Sequence, residues 1–545
     1  MKSKVNTIRM IGCLTAPLAA VMAATLATAP AVQATTYTSV STGGNWQTNA
    51  TWGTASTSYP GENEAGDTAD ISSGSPVTLS GTISNDLGDV NIAAGGTLEL
   101  NNGASIPGQG TTSSTDAFNV GNSGSGTGTL DVASGSTSTV YNLNVGSGSQ
   151  GGYVNQTGGT LTVANGAALR GNDGTYLITG GTLDLLGYYF GGTGTSTETF
   201  TLDVAGGTVD SPHYAYVSNG GGSGVITVNS GTFDNTAGFA AVNSSGNGTI
   251  NLNGGTFETN QPINGTNSGK NGSSYINFNG GTLQATATIS LLSNFTAANV
   301  QAGGAIINTN TFSDTISQAL LHDATLGSTP DGGLTKNGTG TLTLSAANAY
   351  TGATTIASGT LALSATGTIA DSSAIDVQSG ATFDVSAQTT GFTLGASQTL
   401  EGGGTVSTGG NTLTLDGTVA PGDAAIGTLT IDPASVDFAS GSTLSIDAVG
   451  SANDLLAVEG NLNLSGAGDT LNFIGTPTAG LYTIVTYTGT LTGTFTNTNL
   501  QGYVINYGSG SNSAITLSRV PEPATLGLLA LGGLGVLLLG KRRRA

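Results

Sequence analysis

One short phrase recurs in this chain: two small residues, a threonine and an apolar residue. It reads Gly158-Gly159-Thr160-Leu161, Gly180-Gly181-Thr182-Leu183, Gly206-Gly207-Thr208-Val209, Ser230-Gly231-Thr232-Phe233, Gly254-Gly255-Thr256-Phe257 and Gly280-Gly281-Thr282-Leu283. Successive threonines stand 22, 26, 24, 24 and 26 residues apart. A period in the twenties demands a stack of similar units, because one such unit cannot bury its own apolar face.

Each copy repeats its side-chain pattern. Six residues before the threonine come Tyr176, Leu202, Ile226, Ile250 and Ile276; four before it come Ile178, Val204, Val228, Leu252 and Phe278. Polar residues such as Thr227, Asn251 and Asn277 lie between, so the segment alternates with period two and reads as a half-buried strand. The small pair makes a bend, after which Leu183, Val209, Phe233, Phe257 and Leu283 start a second inward face. The pattern predicts an all-β, right-handed parallel β-helix (a solenoid) of about 14 to 17 coils, roughly 65–80 Å long at the usual strand spacing.

The outward positions are also periodic. Two residues past the threonine come Asp184, Asp210, Asp234 and Glu258, and Glu99 reads as the same place in an early coil. Such a carboxylate column is either a solvated face or a weak Ca²⁺ site built from several carboxylate oxygens. No other metal and no cofactor is expected. Asn229, Asn253 and Asn279 form a second column at the bends, expected as an amide ladder.

Charge and composition narrow the partners. The body between residues 35 and 519 holds 31 acidic residues against Arg170, Lys270, Lys336 and Arg519, a net charge of −27. Nucleic acid is excluded as a partner, since phosphate binding needs clustered Lys and Arg. Residues 1–34 read as a secretory signal peptide: Lys2, Lys4 and Arg9, then an apolar run, then Val32-Gln33-Ala34. They contain Cys13, the only cysteine, so the mature chain has no disulfide. His213 and His322 are far apart and no nucleophile elbow appears, so no catalytic residue is assigned and no enzyme is expected.

Domain boundaries follow from the phrasing. Residues 35–86 read as an N-terminal β cap whose Trp46 and Trp52 either close the first coil or offer a sugar-stacking platform. Residues 87–284 form the first run of coils. Residues 285–330 read as an irregular junction, with a short helical turn expected over Ser317–Asp323. Residues 331–475 form a second run and 476–519 a terminal β segment.

In the second run, Leu334-Thr335-Lys336-Asn337-Gly338-Thr339-Gly340-Thr341-Leu342-Thr343-Leu344 leads into Asn348-Ala349-Tyr350-Thr351-Gly352 and then Ser358-Gly359-Thr360-Leu361. This resembles the autotransporter-associated β-strand repeat, the passenger-associated transport repeat of β-helical surface proteins. Gly402-Gly403-Gly404-Thr405-Val406, Ala420-Pro421-Gly422 and Ile426-Gly427-Thr428-Leu429-Thr430 resemble phrases that follow it. No membrane barrel of amphipathic strands is read after these coils, so self-secretion through a fused barrel is not expected.

Residues 520–545 carry the most specific motif. Val520-Pro521-Glu522-Pro523 precedes an apolar run, 524–540, and then Lys541-Arg542-Arg543-Arg544. As a helix that run would be about 25 Å long, at the short end for a bilayer span. The three parts together resemble the PEP-CTERM sorting signal of Gram-negative bacteria. The resemblance implies an exosortase-type machinery as partner, a transient membrane contact through 524–540, and export to the cell surface among extracellular polysaccharide. The reading is a structural or adhesive surface or matrix protein. A polysaccharide-degrading or polysaccharide-binding β-helix is the alternative.

Overall fold

The computed structural model describes residues 35–520 except 54–57, 64, 73, 108–116, 148–149, 165–168, 172, 188–189, 193–197, 244, 267–271 and 423–424. The leader 1–34 and the run 524–540 therefore lie outside the described residues. The described chain is all-β, a parallel solenoid of about 16 turns. Its strands assemble into two sheets, of 24 and 27 strands, that share one continuous core.

The threonine phrase sets the register. Thr137, Thr160, Thr182, Thr208, Thr232, Thr256 and Thr282 are successive partners in one parallel ladder. One residue on, Leu161, Leu183, Val209, Phe233, Phe257, Leu283 and Ile307 form a buried inward column. A second column runs Tyr176, Leu202, Ile226, Ile250 and Ile276. Stacking like on like is visible in Phe233 and Phe257, whose rings lie 4.8 Å apart and nearly parallel. The bend requires glycine where the backbones converge. Gly207 and Gly231 sit at φ +67° and +75°, and a Cβ on either would fall within 2.6 Å of the carbonyl of the previous rung.

The same phrase serves both sheets. Thr341, Thr360, Thr382, Thr405 and Thr430 stack in the first sheet, whereas Thr160 to Thr282 stack in the second. Within the second sheet, too, the phrase holds more than one position, which corrects the placement of Glu99. The strand Thr97–Leu100 pairs with Thr129–Val132, so Glu99 stacks between Thr78 and Asp131, outside the Asp184 column. The phrase marks a bend, and a coil has more than one bend.

Segment 285–330, expected to be irregular, continues the ladder through Ser290–Ser293, Ala297–Val300, Ala305–Asn308, Ser313–Ile316 and Leu320–His322. The helical turn expected over Ser317–Asp323 does not form; Leu320–His322 is a strand instead, in which Leu320 stacks on Ala298 and is buried. A 3₁₀ turn follows at Ala324–Leu326, with Asp323 capping the Thr325 amide at 2.9 Å.

Lys336 occupies the inward column between Ile307 and Ile356 and is wholly buried. Its ammonium donates to the carbonyls of Asn337 (3.0 Å), Gly338 (2.7 Å) and Ser358 (3.0 Å), one acceptor for each N–H. Burial lowers its pKa to about 8.

Both ends are closed by aromatic residues. Trp46 and Trp52 meet edge-on at 4.9 Å and are buried, with their indole N–H groups bonded to Pro60 and Trp46 carbonyls. Buried rings cannot serve as a stacking platform. At the other end Leu481–Tyr487, Ser513–Arg519 and Tyr503–Tyr507 pair antiparallel over Phe473, Tyr482 and Tyr503, which covers part of an otherwise open sheet edge.

Truncating a stacked ring should cost more than truncating the surface residue beside it. Phe257→Ala is expected to lower unfolding stability by about 3–5 kcal/mol, and Thr256→Ala by less than about 0.5 kcal/mol. Denaturant titration of the two variants against the parent checks the ordering.

Candidate functional site

Because the rungs are in register, any outward position becomes a line of neighbours at about 4.8 Å spacing. What that line does depends on whether its residues both donate and accept. Asparagine does both, and its columns close on themselves. In one, Asn91, Asn119 and Asn144 pass amide hydrogen bonds down to Asp70 over 2.7–2.9 Å. In another, Asn299, Asn277 and Asn251 do the same down to Thr227. At the bends Asn253 donates to Asn229 and Asn229 to Asp203, while Asn279 accepts from the Gly303 amide instead.

Asp184, Asp210, Asp234 and Glu258 do stack as successive partners. Ionised carboxylates only accept, so this column cannot hydrogen-bond along itself. Donors cap its two ends. Thr162 donates to Asp184 at 3.1 Å, and Gln284 donates to Glu258 at 2.8 Å, backed by Asn308. Burial, then the charges of Asp234 and Asp184, raises the pKa of Asp210; burial raises Asp234; burial, then Asp234, raises Glu258. Among the described residues no three carboxylate, histidine or cysteine groups gather as a metal-holding cluster.

A different arrangement lies at the start of the second run, and the sequence reading did not single it out. His322 places Nδ1 2.9 Å from Asp331 Oδ2 and Nε2 3.1 Å from the Gly327 carbonyl. Both partners are acceptors, so the ring fits as a doubly donating imidazolium. Asp331 also accepts from the amides of Gly333, Gly352 and Thr351 and from the Thr351 hydroxyl. Burial alone would raise the Asp331 pKa, but these bonds outweigh it and hold the carboxyl below its usual range. The bond to Asp331 raises His322 against an opposing effect of burial. The three side chains are far enough apart in sequence that only the coil geometry joins them. The available signal was Asp331 before a glycine pair, a common turn-forming arrangement. His213 is remote from this knot, and its backbone carbonyl accepts from Ser211 and Asn235.

In the sorting motif, Val520 is exposed at the end of the terminal β segment. Pro521, Glu522, Pro523, Lys541, Arg542, Arg543 and Arg544 lie outside the described residues. Among those that are described, no helix is long and apolar enough to cross a membrane.

Fold and surface together define a parallel β-solenoid with long hydrogen-bonded outer columns. The passenger-associated-transport-repeat family matches residues 334–363, which include Thr351 of the His322 knot, and the PEP-CTERM protein-sorting motif matches residues 519–544. Over 89 residues the chain is 40% identical to the adhesin BmaC autotransporter of Brucella suis biovar 1 (strain 1330), a stretch that is 15% of this chain and 3% of that protein. The chain thus carries a transport-type repeat and a C-terminal sorting motif on a β-solenoid, the make-up of an exported surface protein.

Rising pH acts in the same sense on the carboxylate column and on His322, and in the opposite sense on Asp331. Raised carboxyl pKa values favour the folded state most below the unfolded carboxylate range, and that contribution is lost as pH rises through the folded values. Asp210→Asn is therefore expected to stabilise at pH 7 by roughly 0.2–1 kcal/mol, through loss of like-charge repulsion, with the gain shrinking in acid; denaturation at both pH values reads it. In the knot, the raised His322 contributes most below its unfolded value and that support disappears as pH rises through its folded value, while Asp331 loses its own in acid. Hydrogen exchange of 323–332, corrected for intrinsic rate, should show protection falling above the His322 transition in the parent, and no such step in His322→Phe.

Proposed function

We propose that this protein is a structural or adhesive element of a Gram-negative cell surface or matrix, delivered by an exosortase-type machinery and acting through many weak contacts along its outer columns. The observation that carries the reading is the joining of a sorting motif at 519–544 to a solenoid that repeats one outer surface in register. A surface repeated every rung is suited to multivalency: single contacts can be weak while the array holds firmly. The solenoid offers Thr, Asn, Ser and carboxylate columns and little positive charge, so neutral glycans and cations are the fitting partners. Extracellular polysaccharide is the proposed polymer. The protein works without catalysis, in keeping with an adhesin among its relatives.

Ca²⁺ is a proposed auxiliary. An ion lying between rungs can touch carboxylates of neighbouring coils at Asp184, Asp210, Asp234 and Glu258, which supports weak binding only.

Two measurements test this reading. In a host that has an exosortase, the parent is expected in the surface fraction with a mature C-terminus near Pro521-Glu522-Pro523 by mass spectrometry. A variant lacking 521–545 is expected to stay off the surface; equal surface amounts would remove the sorting role. Thermal midpoints in Ca²⁺ and in EGTA at matched ionic strength decide the auxiliary, with equal midpoints removing it.

A further inference from the structure

The outer surface of the solenoid is polar almost throughout, and its large exposed apolar side chains are few. Among the described residues they are Leu186, Val449, Ile474, Leu481, Val504 and Val520. Half of these belong to the antiparallel closure at the C-terminal end. Leu481 is 62% exposed, Val504 50% and Val520 46%.

The pairing places these three together. Ser518 is the direct partner of Leu481 on one side and of Val504 on the other, so all three share one face of the closure. Directly opposed residues of an antiparallel pair point the same way, and so do residues two apart. Val520 stands two beyond Ser518, and its amide bonds to Gly502, a residue without a side chain to cover it. Tyr482, Ile515 and Leu517 alternate onto the opposite, buried face. The strands thus put apolar residues on both faces, although the outward one is left exposed among the described residues.

A charge lies beside this face. Arg519, between Ser518 and Val520, pairs with Tyr503 and so leaves the strand on its other side, but it is exposed at the strand end, and it is the only lysine or arginine on the surface among the described side chains, Lys336 being buried. A body with 27 net negative charges carries this cation where the chain leaves the solenoid.

Chain length identifies the occupant. Four residues lead from Val520 to Ala524, where the apolar run of the sorting motif begins. Extended, they reach about 14 Å. While 524–540 is in a bilayer, the exposed face is therefore held within about that distance of its surface.

We propose that Leu481, Val504 and Val520 form a docking face for a phospholipid surface, with Arg519 exposed at its rim to favour anionic lipid. The face seats the end of the solenoid on the bilayer before the tail is processed, apolar side chains entering the interface and the guanidinium at the rim reaching headgroup phosphate. This inference rests on the sorting reading of the tail. Its consequence is that the end of the solenoid from which the sorting motif leaves is held against the membrane surface.

The test uses the full chain in a Cys13→Ser background, reconstituted into nanodiscs of phosphatidylglycerol with phosphatidylcholine. A polarity-sensitive fluorophore is placed in turn at Val504→Cys, Thr208→Cys and Leu531→Cys, and quenching by doxyl-labelled lipid is read. The expected result is strong quenching at Leu531 and Val504 and none at Thr208. A several-fold loss of Val504 quenching is expected in Leu481→Asp, and a smaller one in Arg519→Glu or in phosphatidylcholine alone. Quenching at Leu531 without quenching at Val504 overturns the docking face and leaves the sorting reading intact. Absence of quenching at Leu531 overturns both. A blue shift at Val504 that grows with protein concentration and is blind to doxyl lipid identifies a second copy as the occupant and overturns the lipid proposal.

Discussion

The in-register parallel rung is the constraint on which the rest depends. Backbone hydrogen bonds between successive coils fix each residue above its counterpart about 4.8 Å away. Every choice of side chain is thereby multiplied along the axis. Inside, the multiplication gives columns such as Leu183, Val209, Phe233, Phe257 and Leu283, with buried apolar surface continuous along the solenoid. A single misfit residue affects two neighbours at once. Lys336 shows the exception handled locally, with three carbonyls meeting three N–H bonds.

Outside, the same multiplication sorts residues by hydrogen-bonding capacity. Asparagine can pass a bond along the axis, and the ladders ending on Asp70 and Thr227 do so. Carboxylates cannot, so the run from Asp184 to Glu258 accepts donors only at its ends and keeps unspent acceptor capacity between. That difference makes the carboxylate column the part of the surface most open to outside donors or cations. The His322 knot shows a third use of polar groups, tying a loop that leaves the coil back onto the next rung through Asp331 and Thr351.

Much of the fold was legible in the sequence because the repeat is both long and regular. Tyr176, Leu202, Ile226, Ile250 and Ile276 announce an inward column without any structure, and the four stacked carboxylates follow from the same count. The reading failed where one phrase had two meanings. Glu99 follows a Gly-Gly-Thr like the others, yet its bend belongs to another corner of the coil. It failed again at 285–330, where the phrase is missing but the alternation of Ala298, Val300, Leu320 and their neighbours still builds rungs. The histidine knot was illegible for a different reason. Its three side chains meet only after the coil brings Asp331 and Thr351 onto adjacent rungs.

A direct test of the register is disulfide formation between adjacent rungs. Direct neighbours in a parallel ladder have Cα atoms close enough for a disulfide, about 4.4–6.8 Å apart. In a Cys13→Ser background, Asp210→Cys with Asp234→Cys is predicted to cross-link nearly completely under mild oxidation. Asp210→Cys with Asn235→Cys is predicted to stay reduced, because Asn235 is buried on the inward face one residue out of register. Equal cross-linking of the two pairs, or of neither, would contradict the stacked columns on which the proposed surface depends.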